Sequence, residues 1–188
     1  MHELIKPTAS LHGAWLEARD EWGPGLHEDG FGLLASDETD SPEGFATWLA
    51  RLAAQGDPAG AGRHGGTTGV HWWIVEDDGA GGVRVQGGIA LRYGDDDYAR
   101  QFGHVGFGVR PSARRRGLAT RALGRVLGEA RALGLDRVVL TCRADNTASA
   151  RTIAGAGAVF DGVRDTAHGP VRRYHVDLGG LGSAGRRP

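Results

Sequence analysis

The residues best suited to chemistry lie in one stretch, Val109-Arg110-Pro111-Ser112-Ala113-Arg114-Arg115-Arg116-Gly117-Leu118-Ala119-Thr120. An apolar run stops at Pro111, an arginine-rich loop follows, and a strongly periodic helix begins at a glycine. The first amides of a helix have no carbonyl partner and sit at the positive end of its dipole, so a phosphate binds well there. Gly117 has no side chain to hold such an anion off, Ala119 keeps the next turn slim, and arginine adds bidentate donors. Three consecutive arginines also suit a solvated face; the order strand, Arg loop, glycine, helix favours the anion site. No Gly-Lys-Ser/Thr follows, so this is not a P-loop, and no Gly-x-Gly-x-x-Gly opens a helix, as a dinucleotide fingerprint requires.

The elements around this stretch can be read from spacing. Leu4-Ile5-Lys6-Pro7 reads as a short first strand or lead-in. Leu11, Ala14, Trp15, Ala18 and Trp22 recur at helical spacing, and Gly23-Pro24-Gly25 ends that helix. Ser41 before Pro42 predicts an N-cap and a helix over 42–55, with Phe45, Trp48, Leu49 and Leu52 on one face. The Gly-, Ala- and Pro-dense segment 56–69 predicts a loop. Strands are expected at Val70–Glu76 and Val83–Tyr93, joined by a Gly-rich hairpin, with a bulge at Gly87-Gly88. Trp72 and Trp73 must point to opposite faces. An acidic loop (Asp95, Asp96, Asp97) leads to a strand over His104–Val109.

The clearest helix runs from Gly117 to Leu133, with Leu118, Leu123, Val126, Leu127, Ala130 and Leu133 as its apolar stripe and Gly134 at its C-terminal cap. Val138–Cys142 is a short apolar strand, Thr147–Ala154 a short helix, and Ala158–Val163 and Arg172–Leu178 two closing strands. Helices interrupt strands that are otherwise joined by tight hairpins, which implies a mixed sheet covered on both faces. One domain over 1–178 and a disordered tail over 179–188 are expected.

Composition narrows the function classes. The chain has 188 residues, 24% of them charged and 40% apolar, with a net charge of −1. That balance gives no global pull toward nucleic acid or a membrane. Cys142 is the single cysteine, so an intramolecular disulfide framework is excluded, and its apolar strand favours packing over nucleophilic catalysis. No apolar run reaches the length of a bilayer span, and a cytoplasmic protein is expected. The histidines show no metal-ligand spacing, so no metal is expected.

The segment Arg114-Arg115-Arg116-Gly117-Leu118-Ala119 resembles motif A of the GNAT acetyltransferases, Arg/Gln-x-x-Gly-x-Gly/Ala. Gly103-His104-Val105-Gly106-Phe107-Gly108-Val109-Arg110-Pro111 resembles that family's fourth strand. Thr141-Cys142-Arg143-Ala144-Asp145-Asn146-Thr147-Ala148-Ser149, with Gly157 beyond it, resembles its fifth strand and fourth helix. The opening Leu4–Thr8 and Glu21-Trp22 are similar to one bacterial branch. The resemblance spans nearly the whole chain and is densest over 103–160. It implies an α/β (mixed α+β) fold: a mostly antiparallel sheet of six or seven strands, helices on both faces, and splayed strands 4 and 5.

The resemblance also implies an activity: transfer of an acetyl group from acetyl-CoA to a primary amine by direct attack on the thioester. A small-molecule or peptide amine would be the partner, with the protein a monomer or homodimer. A domain that binds acyl-CoA without turnover is the alternative. By similarity, backbone groups of Phe107, Gly108 and Val109 bind the pantetheine arm and acetyl carbonyl, where an N–H would stabilise the oxyanion. Arg114, Arg115, Arg116, Gly117, Leu118, Ala119 and Thr120 hold the pyrophosphate.

Asn146 matches a residue that bonds the pantetheine or amine region, and it also suits an N-cap. The family's usual acid is a Tyr seven residues beyond that Asn, where this chain has Ile153, so Ser149 is the nearest hydroxyl for the departing thiolate. Some relatives place a Glu five residues before the Asn; this chain has Thr141 there. His104 is then the titratable side chain in the motif strands with a pKa suited to a base, and a water chain is its rival. Asp20 and Glu21 either attract a cationic amine or are simply solvated.

Overall fold

The computed structural model describes residues 2–23, 25, 27, 30–56, 68–93, 97–167 and 169–179. Among these residues there are seven strands, β1 (His2–Ile5), β2 (Gly69–Asp77), β3 (Val83–Arg92), β4 (Val105–Val109), β5 (Arg137–Arg143), β6 (Val159–Thr166) and β7 (Gly169–Asp177), and five helices. The helices are α1 (His12–Asp20), α2 (Pro42–Gln55), α3 (Asp97–Phe102), α4 (Leu118–Ala132) and α5 (Thr147–Gly155). β1-β2-β3-β4 form one antiparallel sheet and β5-β7-β6 a second. The two edges meet at the Gly103–Leu140 bridge.

Strand alternation divides the core into two layers. Trp73 and Val75 face α1 and α2, where they pack with Trp15, Phe31, Phe45, Trp48 and Leu52. Ile74 faces the other way, into a core of Ile89, Leu91, Leu123, Val126, Leu140 and Ile153 beneath α4 and α5. Trp72 and Trp73 therefore do separate: Trp73 is in the α1–α2 core, while Trp72 is only partly buried, with Lys6 Nζ 4.1 Å from its ring centre. Each fully buried large apolar side chain contributes roughly 1.5–3 kcal/mol, so these two layers supply the main force holding the helices to the sheet.

Local signals account for most boundaries. Ser41 Oγ accepts from the Gly44 amide at 3.1 Å and Pro42 opens α2, as expected. At the end of α4, Leu135 N–H donates to Ala130 O and Gly134 N–H to Arg131 O, both at 3.0 Å. That pattern ends the helix one residue before Leu133, which is exposed rather than part of the stripe; Ala122 takes the buried place.

Other expectations shift. The bulge falls at Gln86, between the Val75–Val85 and Ile74–Gly87 pairs, one residue before the expected glycines. Where the acidic segment predicts a loop, α3 begins at Asp97; six residues are too few to show a helical period. β6 runs on to Thr166 and β7 starts at Gly169, so the closing pair is a longer hairpin than the apolar pattern indicates. Most of the expected 56–69 loop and the tail beyond Gly179 lie outside the described residues.

Candidate active site

β4 and β5 part immediately after the Gly103–Leu140 bridge, their one junction among the described residues. His104 N–H donates to Val139 O at 2.7 Å, and the Val139 amide donates back to His104 Nδ1 at 2.8 Å. Gly103 is required here: its φ is +83°, and a Cβ would lie 2.8 Å from the Val139 carbonyl oxygen. From Val105 onward, no ladder joins β4 to β5 among the described residues.

The register to β3 shows which backbone groups face the resulting gap. Arg92 N–H donates to His104 O at 2.7 Å and Arg110 N–H to Gln86 O at 2.8 Å. In an antiparallel ladder hydrogen-bonded pairs alternate, so Gly106 and Gly108 bond to Ala90 and Gly88. The N–H and C=O groups of Val105, Phe107 and Val109 then point away from β3, toward β5. Arg114 Nε covers the Val109 carbonyl at 3.0 Å. Gly108, expected to offer backbone groups to a ligand, turns them to Gly88 instead, because β3 already claims that side of the strand.

Beyond β4 the chain makes a short turn over Pro111–Ala113 and reaches Arg115, with φ +63°, and Gly117, with φ +74°. Arg115 is the sole non-glycine residue with positive φ among the described residues. Such a conformation costs about 1–3 kcal/mol and persists only where the surroundings hold it. Among the described residues no side chain caps α4, which leaves the Leu118, Ala119 and Thr120 amides without an intrahelical or side-chain acceptor there.

The three arginines have separate tasks. Arg116 Nη2 pairs with Glu76 Oε1 at 2.9 Å, and Arg114 bonds the Val109 carbonyl; Arg115 is left exposed at the tip. Arg121, which the motif does not include, donates to the Arg116 carbonyl at 2.9 Å and to His2 Nε2 at 2.8 Å. Its position was invisible as a signal, since on the helix it reads as one more polar-face residue.

Asn146 is the N-cap of α5, its Oδ1 accepting from the Ser149 amide at 3.0 Å. Ser149 is half-buried in the first turn of α5. Ile153 is fully buried in the core, and the Thr141 hydroxyl donates to the Phe102 carbonyl at 2.7 Å. Cys142 is buried on β5.

Two charge expectations change. His104 accepts from the Val139 amide through Nδ1, so that lone pair is engaged in bracing β5. Glu21 is not a solvated helix-end charge. It binds Arg110 Nε at 2.7 Å and both the amide and hydroxyl of Ser112, and those bonds hold its carboxyl down to about 2. Asp20 pairs with Arg19 at 2.8 Å.

Among the described residues, no group of three His, Cys, Asp or Glu side chains is placed to hold a metal ion, and no helix is long and apolar enough to cross a membrane.

Known structures share this architecture. The microcin C7 self-immunity acetyltransferase MccE, solved with acetyl-CoA and AMP, superposes with a TM-score of 0.65 at 13% identity, over 94% of this chain and 92% of that one. A Salmonella typhimurium acetyltransferase that modifies the N-terminal serine of ribosomal protein L7/L12 gives 0.64 at 15% identity, over 94% of each chain. The Vibrio fischeri ribosomal-protein-S5-alanine acetyltransferase gives 0.63 at 17%, over 94% of this chain and 92% of that one. No curated protein matches the sequence. At these identities the neighbours establish the fold, while the family is established by the match of residues 15–157 to the Acetyltransferase (GNAT) family. With its uncapped α4, its unpaired β4 edge and that match, the chain belongs to the GNAT acetyltransferase family.

Proposed function

We propose that the protein is an N-acetyltransferase that takes its acetyl group from acetyl-CoA and delivers it to a primary amine, which attacks the thioester directly. The observation that carries this reading is an α4 with no capping side chain among the described residues, one short turn beyond a strand whose Phe107 and Val109 backbone faces an open gap. Acetyl-CoA supplies an activated acyl carbon and a thiolate leaving group. The residues fit such a ligand: the start of α4 is free of any capping side chain, and glycine stands where the helix begins.

The Leu118, Ala119 and Thr120 amides, with Gly117 and the Arg115 guanidinium, bind the diphosphate. Arg114 adds charge from the β4 side, and Arg116, tied to Glu76, shapes the loop. The N–H groups of Phe107 and Val109 donate to the acyl oxygen and the pantetheine arm, and Gly108 serves by lacking a side chain. Asn146 caps α5 through Oδ1, which leaves its Nδ2 to donate toward the ligand. As the C–N bond forms and the C–S bond breaks, the Ser149 hydroxyl gives its proton to the departing sulfur, and the proton released by the acetylated nitrogen passes through water to restore the serine.

The acceptor class is inferred from the groups described at the site. Thr141 stands in the place of a base, and His104 Nδ1 is engaged. A lysine-type amine, with a pKa of ~10.4, needs deprotonation at neutral pH, whereas an α-amine at ~8 is already partly neutral. A peptide α-amine, the kind of group at the N-terminal serine that the Salmonella typhimurium neighbour modifies, is thus favoured over a polyamine; a small amine of low pKa suits equally. A cytoplasmic setting accords with a single, buried cysteine.

Calorimetric titration with acetyl-CoA, joined to a thiol-release assay over peptide N-termini, polyamines and amino sugars, tests this. Release above the hydrolysis background with a peptide or other low-pKa amine is expected. Binding without release on any amine would favour the non-catalytic reading, which the buried Ile153 in the usual acid position supports.

A further inference from the structure

The turn between β4 and α4 is gripped at its start by a guanidinium that takes no part in the chemistry above. Arg110 is only 4% exposed. Its Nε donates to Glu21 at 2.7 Å, its Nη2 to Glu17 at 2.8 Å and its Nη1 to the Val85 carbonyl at 3.3 Å. Nη2 also touches Glu21. Glu21 reaches past Pro111 and accepts from the Ser112 amide at 3.0 Å and the Ser112 hydroxyl at 2.8 Å. One carboxylate therefore holds the residue before the proline and the residue after it.

This arrangement does more than attach α1 to the sheet. An apolar contact would do that without desolvating a charge, and replacing buried ion pairs by packed apolar groups is often neutral or stabilising. What an apolar contact lacks is direction. A planar fork with fixed donor angles sets the rotation of the chain as it leaves β4. A second strut stands at the far end of the same turn, where Glu76 accepts from Arg116 at 2.9 Å and from the bulge residue Gln86 at 3.0 Å. Between the two struts the left-handed Arg115 is held in place.

We propose that Arg110 and Glu21 are positioning residues for coenzyme binding: their ion pair sets the path of Pro111–Gly117 and so aims the α4 amides and Arg115 at the diphosphate. This rests on the acetyl-CoA reading given above. Because Glu21 also ends α1, the same pair fixes where the following segment starts, and Trp22 and Leu33 of that segment line a cavity of about 390 Å³. Coenzyme side and α1 side thus share one anchor.

The test is calorimetric titration of acetyl-CoA into the wild type and into Arg110→Met, Arg110→Lys and Glu21→Gln, each with a thermal melt. Arg137→Met, which removes an exposed pair with Asp177 on the second sheet, is the control and should leave the Kd unaltered. Arg110→Met and Glu21→Gln should raise the Kd at least tenfold at unchanged stoichiometry of the folded protein. Arg110→Lys, which keeps the charge and loses the fork, should fall between them and the wild type. A purely structural role would lower the melting temperature and leave the Kd alone, and that result overturns the proposal. Should Arg110→Met fail to fold, Glu21→Gln decides. If Gly117→Glu abolishes binding while the folded Arg110 and Glu21 variants bind like the wild type, the coenzyme reading stands and the positioning role falls. Absence of binding by the wild type overturns both.

Discussion

His104 and Val139 exchange two hydrogen bonds, 2.7 Å from the His104 amide to the Val139 carbonyl and 2.8 Å from the Val139 amide to Nδ1. A side chain thus stands in for the missing strand partner at the point where β4 and β5 separate. Deleting it in His104→Ala leaves a buried-side amide without an acceptor, at a cost of about 1–3 kcal/mol. Asn, whose Oδ1 can occupy the place of Nδ1, should restore most of that loss. Denaturant melts check both variants. The pH–rate profile of the Asn variant should keep its shape; loss of an inflection near the ordinary imidazole pKa of ~6.5 would restore His104 as a base.

Asn146 allows its two roles to be separated. Asn146→Asp keeps an oxygen for the Ser149 amide, so α5 should stay as stable as in the wild type, while the Nδ2 donor disappears and acetyl-CoA binds more weakly. Asn146→Ala should lose both, with about 1 kcal/mol of stability removed along with the cap. Melting curves paired with calorimetry distinguish the two. Equal affinity in all three proteins would confine Asn146 to capping.

Gly117→Glu should abolish acetyl-CoA binding in a protein that still folds, because a carboxylate would occupy the anion site. Gly117→Ala is a milder probe. Its φ of +74° strains any L side chain, and the new Cβ would lie 3.0 Å from an Arg121 nitrogen. About 1–2 kcal/mol of stability should go, with a partial loss of affinity. Circular dichroism together with titration reads both effects.

Ser149→Ala should lower the rate of thiol release by about a hundredfold or more and leave the acetyl-CoA Kd unaltered, since general acid catalysis by one group contributes about 10²–10⁴-fold. Steady-state rates with the best amine of the panel are the measurement. An unchanged rate would reduce Ser149 to a packing residue of α5.

Acid should remove stability over two overlapping pH windows. Burial, with Arg92, Arg51 and Lys6 nearby, holds the His71 imidazole down to about 3, so the folded protein keeps it neutral while the unfolded chain takes a proton below ~6.5. Stability from this source is complete above pH ~6.5 and drains away toward 3. Glu21, held at about 2 by Arg110 and Ser112, contributes stability present above its usual value of 4.5 and lost as pH falls toward 2. His71→Gln should flatten the first slope, which is at most ~1.4 kcal/mol per pH unit, and Glu21→Gln the second. Urea melts across pH 2–8 test the assignment.

Much of the architecture was legible because its causes are local. A Ser-Pro start for α2, an Asn cap for α5, a glycine stop for α4 and the strand–Arg–Gly–helix order each act within a few residues, and the order alone pointed to an anion site. α3 was not legible, being too short for a period, and neither was the bulge at Gln86, which depends on how β2 and β3 pair.

What the tertiary structure alone decided is the division of labour within that site. Arg110 and Glu21 are 89 residues apart, and Arg116 and Glu76 are 40 apart. Nothing in a local pattern distinguishes an arginine committed to such a distant carboxylate from one left to meet a ligand. The same holds for the Gly108 amide and for His104 Nδ1, each claimed by a neighbouring strand. Periodicity and caps record what a residue prefers among its chain neighbours; which of its polar groups remain unclaimed depends on what folding brings against them.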